Sequence, residues 1–145
     1  MGKYEMKRIS FNPQFVNSSG DNLINGKIHT IRQNYGYWKL FEGEELALFT
    51  WEGKSYQKGS KQKIFCVKRL VSVQPVMKSH CNVNFWTVDI QGYNPDTGYQ
   101  YETIAQIRNY ILARNDGLTE NEFVKWFYDY PYDIMAILHF TNFKY

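Results

Sequence analysis

The chain is poor in the residues that staple or ligate. It has two cysteines, four prolines and three histidines among 145 residues. Cys66 and Cys81 make no Cys-x-x-Cys pair, and with His29, His80 and His139 they form no zinc-ligand spacing. Each cysteine is expected to be a buried thiol, and neither a metal nor a cofactor is expected. No apolar run approaches the ~18 residues of a membrane helix, so no membrane partner is expected. There is no Gly-x-Gly-x-x-Gly and no Walker loop, since Gly26-Lys27 lacks both the upstream glycine and the following Ser or Thr. The opening MGKYEMKRIS has no apolar segment of a signal peptide. Met6 stands where a myristoylation pattern needs Ser or Thr. A cytoplasmic location is the resulting expectation.

What is present is apolar and aromatic. Hydrophobic residues make up 43% and charged residues 21%, the balance of a folded globular chain that needs no disulfide. Aromatics reach 18%, with 12 Tyr, 10 Phe and 4 Trp. They suit a strand-rich core, and some could line a groove and stack on flat ligands. The formal charge of +3 permits a nucleoside, RNA or DNA partner without demanding one.

The pattern along the chain is strand-rich, with helices late. Arg8 to Phe11 predicts a strand that stops at Pro13. Asp21 is placed to cap a short helix through Leu23 and Ile24, closed by Gly26. Glu44 to Trp51 predicts a buried strand and Gly53 a turn. Lys54 to Lys63 predicts a polar loop, and Ile64 to Val73 a β-branched strand. Phe85 to Ile90 alternates as a strand. Asn94-Pro95-Asp96-Thr97-Gly98 then turns into a hairpin partner at Tyr99 to Glu102. Ile104, Ile107, Ile111 and Leu112 fit one face of a helix that Gly117 ends. Thr119 and Glu122 form a capping box, with Leu118 and Phe123 as its hydrophobic staple. Pro131 ends that helix, and Asp133 to Phe140 predicts a closing strand in which His139 is structural. No linker or repeat interrupts the pattern. A single domain over residues 1–145 is expected, of the α+β class.

Chemistry concentrates in Gly26-Lys27-Ile28-His29-Thr30-Ile31-Arg32. Lys27 and Thr30 stand side by side on a helical turn and on opposite faces of a strand. A desolvated Lys27 near Arg32 would have a lowered pKa. In neutral form it could accept the Thr30 proton, and Thr30 could then attack a carbonyl. Spacing alone favours the plainer reading, surface cations beside an ordinary strand threonine.

The segment LINGKIHTIR, followed by FEGEELAL, resembles the ASCH domains of the PUA-like superfamily. Gly26, Lys27, Thr30, Ile31 and Arg32 match the motif, and Gly43-Glu44 matches its turn into a strand. The resemblance covers the first half of the chain and one later patch. It implies a small, mostly antiparallel PUA-like β-barrel flanked by helices. More narrowly, the chain looks like the small bacterial ASCH amidohydrolases that deacetylate N4-acetylcytidine. Asp116 stands where those enzymes carry a Glu, and His29 where they carry an apolar residue.

That likeness implies that Lys27 acts as general base, Thr30 as nucleophile and Asp116 as orienting or proton-donating acid. Arg32, His29, Tyr35 and Trp38 would contact the ligand, with Tyr37 beside them. The other reading is a non-catalytic RNA- or DNA-binding module. Lys54, Lys58, Lys61 and Lys63 would then meet phosphates while aromatics stack on bases. A structural protein in which the motif is vestigial stays open as well. A catalytic site requires Lys27, Thr30 and Asp116 within hydrogen-bond reach of each other in one closed pocket. A binding module requires an open groove continuous with the basic loop.

Overall fold

The computed structural model describes residues 5–53, 58–79, 84–91, 103–131 and 133–145. Within them the strands are β1 (Lys7–Ser10), β2 (His29–Gln33), β3 (Glu45–Glu52), β4 (Lys61–Arg69), β5 (Ser72–Lys78), β6 (Phe85–Gln91), β7 (Thr103–Arg108) and β8 (Met135–His139). The helices are α1 (Tyr35–Lys39), α2 (Asn109–Asn115) and α3 (Glu120–Trp126). The fold is α+β, with two mostly antiparallel sheets. One runs β1-β3-β4, with β1 parallel to β3, and the other is antiparallel throughout in the order β2-β8-β5-β6-β7.

The chain passes from one sheet to the other at Leu70-Val71. Leu70 still bonds the β3 side, giving its N–H to the Glu44 carbonyl and accepting from Gly43 N–H. Val71 N–H already donates to the His139 carbonyl, 2.8 Å away. Because this junction splits the run expected over Ile64 to Val73, two strands replace one. Fully buried Leu70 pins the corner. The expected polar loop is also shorter, since Lys61 to Lys63 already pair with Glu52 to Thr50 in the β3–β4 ladder.

Strand β8 is the second strand of its sheet, and all five of its residues are buried. Its unbroken MAILH run suits a strand covered on both faces. Two helix expectations fail here. Ile104 and Ile107 belong to β7, where pairing with β6 outweighs their helical spacing. Asp21 caps no helix. Instead Asn17 Oδ1 accepts the N–H groups of Asp21 and Asn22, and Val16 bridges to Leu23. Five residues are too few to repay helix nucleation against those loop bonds. The hairpin turn expected at residues 94–98 and its partner at 99–102 lie outside the described residues, as do His80 and Cys81. Cys66 is unpaired and only half-buried on β4, so the expectation of full burial fails there.

The capping box is present in both directions. Thr119 Oγ1 accepts from Glu122 N–H at 3.2 Å, and Glu122 Oε1 accepts from Thr119 N–H at 2.9 Å. It sets α3 against the sheet, where fully buried Phe123 meets the Trp86 ring at 5.2 Å and the Phe127 ring at 5.0 Å. Leu118, the other half of the staple, is buried in the same core. Chemical denaturation should show Thr119→Ala losing about 1 kcal/mol and Phe123→Ala about 3–5 kcal/mol. Equal losses would mean that the cap, and not the aromatic cluster, holds α3 in place.

Candidate functional site

Two left-handed glycines build the site. Gly26 (φ +91°) turns the chain just before Lys27, and Gly117 (φ +78°) ends the turn after α2 just beyond Asp116. The two turns are tied by Ile28 N–H donating to the Asn115 carbonyl at 2.9 Å. They are also in close contact. A Cβ on Gly117 would lie 3.1 Å from Lys27 Cβ and 3.1 Å from Ile24 Cδ1. Glycine at 117 is therefore what lets the Lys27 stem pass.

Lys27 Nζ donates to the Asp116 carbonyl at 2.8 Å and to Asp116 Oδ1 at 3.1 Å. Both side chains are almost wholly buried, 1% and 6% exposed. The ammonium also stands 4.3 Å from the Phe15 ring centroid, within cation–π range. Burial pulls the Lys27 pKa below its ordinary value; Asp116 opposes that fall, and Arg32 adds to it. Thr30 and Arg32 project from β2. Arg32 Nε donates to Thr30 Oγ1 at 3.2 Å, and Arg32 Nη2 donates to the Ser10 carbonyl on β1. Arg32 thus spans the gap between the edge strands of the two sheets. Its guanidinium stacks 4.9 Å from the Phe11 ring centroid.

Lys27, Thr30, Arg32 and Asp116 all line one cleft of about 490 Å³ at this seam. Its aromatic lining comes from Phe11, Phe15, Trp51, Trp126, Phe127 and Tyr130. The three residues expected to act together therefore share one cleft. Among the described residues, however, Lys27 bonds Asp116 while Thr30 bonds Arg32, with no Lys27–Thr30 hydrogen bond. The aromatics also differ from those expected. Tyr35 and Trp38 do not line it. Trp38 is buried under α1 with its ring against Tyr37 and Phe41, and Tyr35 packs at a separate surface hollow beside Pro131. A Trp on a short amphipathic helix is drawn into the core, and that leaves nothing to stack on a ligand. Tyr37 holds Lys7 instead, which donates to its hydroxyl.

His29 does not line the cleft either. It is fully buried, pointing to the opposite face of β2 from Thr30, as strand alternation requires. Its Nδ1 lies 3.2 Å from Asp116 Oδ1 and its Nε2 lies 2.6 Å from the Tyr145 hydroxyl. Tyr145 was invisible to local pattern reading, because its partners lie 30 and 116 residues away. Burial raises its phenol pKa to about 12, which keeps the hydroxyl protonated.

Lys58, Lys61 and Lys63 are exposed, and none of them lines the cleft. Gln62 pairs with Trp51 and accepts from Arg8 Nη1, so Lys61 and Lys63 project to the other face of β4. Lys54 lies outside the described residues. Among the described residues no group of three or more His, Cys, Asp or Glu could hold a metal, and no helix is long and apolar enough to cross a membrane.

No protein-family model, curated protein or solved structure matches this chain.

His139 is the structural histidine of the sheet. Its Nε2 lies 2.8 Å from Gln74 Oε1, and burial lowers its pKa from 6.5 to about 3. A histidine held neutral when folded takes up its proton only on unfolding, so stability falls as the pH drops below 6.5. Denaturant midpoints should therefore change little above pH 6.5 and fall as the pH drops below it, and a His139→Asn variant should flatten that fall. At the seam, Gly117→Ala should cost more than about 1 kcal/mol in the same assay, since it meets both a left-handed φ and the Lys27 stem. A neutral effect would mean that the Lys27 stem has room to move.

Proposed function

We propose that the chain is an ASCH-type domain whose seam cleft binds a nucleoside and hydrolyses an amide on its base, with N4-acetylcytidine as the leading substrate. The observation that carries this reading is the buried Lys27–Asp116 pair opening onto the same aromatic cleft as Thr30. The two sheets are read as the halves of a PUA-like barrel, with Arg32 bridging β1 and β2 in support of that closure. Six aromatic residues around the cleft suit a flat base. No described lysine or arginine other than Lys27 and Arg32 lines it, which favours a nucleoside over a polynucleotide.

The proposed chemistry uses the groups that share the cleft wall. Thr30 Oγ1 accepts from cationic Arg32 Nε, which orients the oxygen and stabilises negative charge forming on it. Its own proton is free for a base. Burial favours the uncharged form of Lys27, which takes that proton as Oγ1 attacks the acetyl carbon. The carbon–nitrogen bond then breaks, and the amine of cytidine leaves with the proton that Lys27 returns. Water hydrolyses the acyl-Thr30 ester, releasing acetate and restoring the hydroxyl. Asp116 anchors Lys27 between steps.

Chromatography of N4-acetylcytidine incubated with purified protein tests this directly. Wild type should release cytidine, and Lys27→Ala and Thr30→Val should each lower turnover by about 10²–10⁴-fold. No turnover at high protein concentration would sink the substrate assignment. Salt-dependent RNA binding in its place, lost on charge reversal at Lys58, Lys61 and Lys63, would establish the binding-module reading.

A further inference from the structure

Behind the cleft, hydrogen bonds form a chain that ends at the same Asp116 oxygen that Lys27 bonds. It starts at Gln74 on β5. Gln74 Oε1 accepts from Tyr145 N–H at 2.9 Å, and Gln74 Nε2 donates to the Tyr145 backbone oxygen at 3.0 Å. That double clamp fixes the Tyr145 backbone. Asn115 Nδ2 then donates to the Tyr145 hydroxyl at 2.9 Å. The Asp116 carboxylate oxygen facing His29 Nδ1 only accepts, so in the neutral ring Nδ1 carries the proton and Nε2 accepts from the Tyr145 hydroxyl at 2.6 Å. An imidazole that accepts at Nε2 carries its proton on Nδ1 when neutral. That proton faces Asp116 Oδ1, 3.2 Å away, the same oxygen that receives Lys27.

We infer that Tyr145 and His29 form a positioning relay that locks His29 as its Nδ1-protonated neutral tautomer and thereby holds Asp116 Oδ1 against Lys27. The five groups come from four separate places in the sequence, His29, Gln74, the adjacent Asn115 and Asp116, and Tyr145, yet each bond orders the next. Gln74, Asn115, Tyr145 and His29 do not line the cleft, and only Asp116 at the end of the relay reaches it. Its effect is to fix the carboxylate with one proton donor behind it and one cation in front. A free carboxylate at that turn could rotate and release Lys27 toward the cleft. The kinetic consequence rests on the amidohydrolase reading above; the tautomer and the hydrogen bonds do not.

Imidazole nitrogen NMR on the wild-type protein tests the relay without substrate. The expected result is a protonated Nδ1 and a bare Nε2 on His29, with the Nε2 signal displaced in Tyr145→Phe. A protonated Nε2, or a doubly protonated ring at neutral pH, would overturn the inference. Kinetics then separate positioning from mere packing. Asn places an N–H where Nδ1 stands, so His29→Asn should retain most of the turnover of N4-acetylcytidine. His29→Leu should lower kcat about tenfold, in the range seen when outer hydrogen-bond partners of functional side chains are removed, with KM within about twofold. Equal loss in both variants, each folded by circular dichroism, would show that the ring acts only as packing and would overturn the relay. If wild type turns nothing over, the amidohydrolase reading falls and the NMR result alone decides the relay.

Discussion

The site depends on one buried ion pair. Lys27 and Asp116 meet across 89 residues of chain, 3.1 Å apart and almost free of solvent. Burying two charges is costly, and such a pair adds little net stability over an apolar replacement. Removing only one partner strands the other charge, at about 3–5 kcal/mol. The pair is therefore poor as a fold stabiliser, and what it does is fix the Lys27 amine at the wall of the cleft. Everything around it serves that constraint. Two left-handed glycines bring the turns together, Ile28 ties the motif to the end of α2, and Phe15 covers the ammonium.

The cleft sits where the two sheets fail to pair. A sheet edge with free N–H and C=O groups invites foreign strands, and here a side chain closes it. Arg32 reaches from β2 to the Ser10 carbonyl on β1 and also holds Thr30. One guanidinium therefore joins the two sheet edges to the Thr30 hydroxyl, with donors spaced in a fork that a lysine could not reproduce. The gap that remains is lined by rings from β3 and the α3 end, so the aromatic surplus of the sequence is divided between core and cleft.

Local chemistry was legible in the sequence wherever it acts over a few residues. The capping box at Thr119 and Glu122, the helix stop at Gly117 and the edge strand before Pro13 follow from side chains reaching their own backbone. The pairing of Lys27 with Asp116 was legible only through the resemblance, since no spacing connects them. What failed was decided by distant partners. Ile104 and Ile107 fit a helix until β6 offers a ladder. Trp38 looked like a stacking residue until α1 turned it inward. His29 looked like a ligand contact, but strand alternation aims it at Tyr145, and nothing near either residue announces the other.

The central claim is that burial, and not the ion pair, sets the proton affinity of Lys27. Following the Lys27 ammonium by nitrogen-detected NMR across a pH titration measures that directly. A pKa below the ordinary value of 10.5 in the wild type, rising or broadening when the cleft wall is opened by Phe15→Ala, is the predicted result. A pKa at or above 10.5 would mean that Asp116 holds Lys27 permanently charged, and a lysine in that state could not act as the base for Thr30.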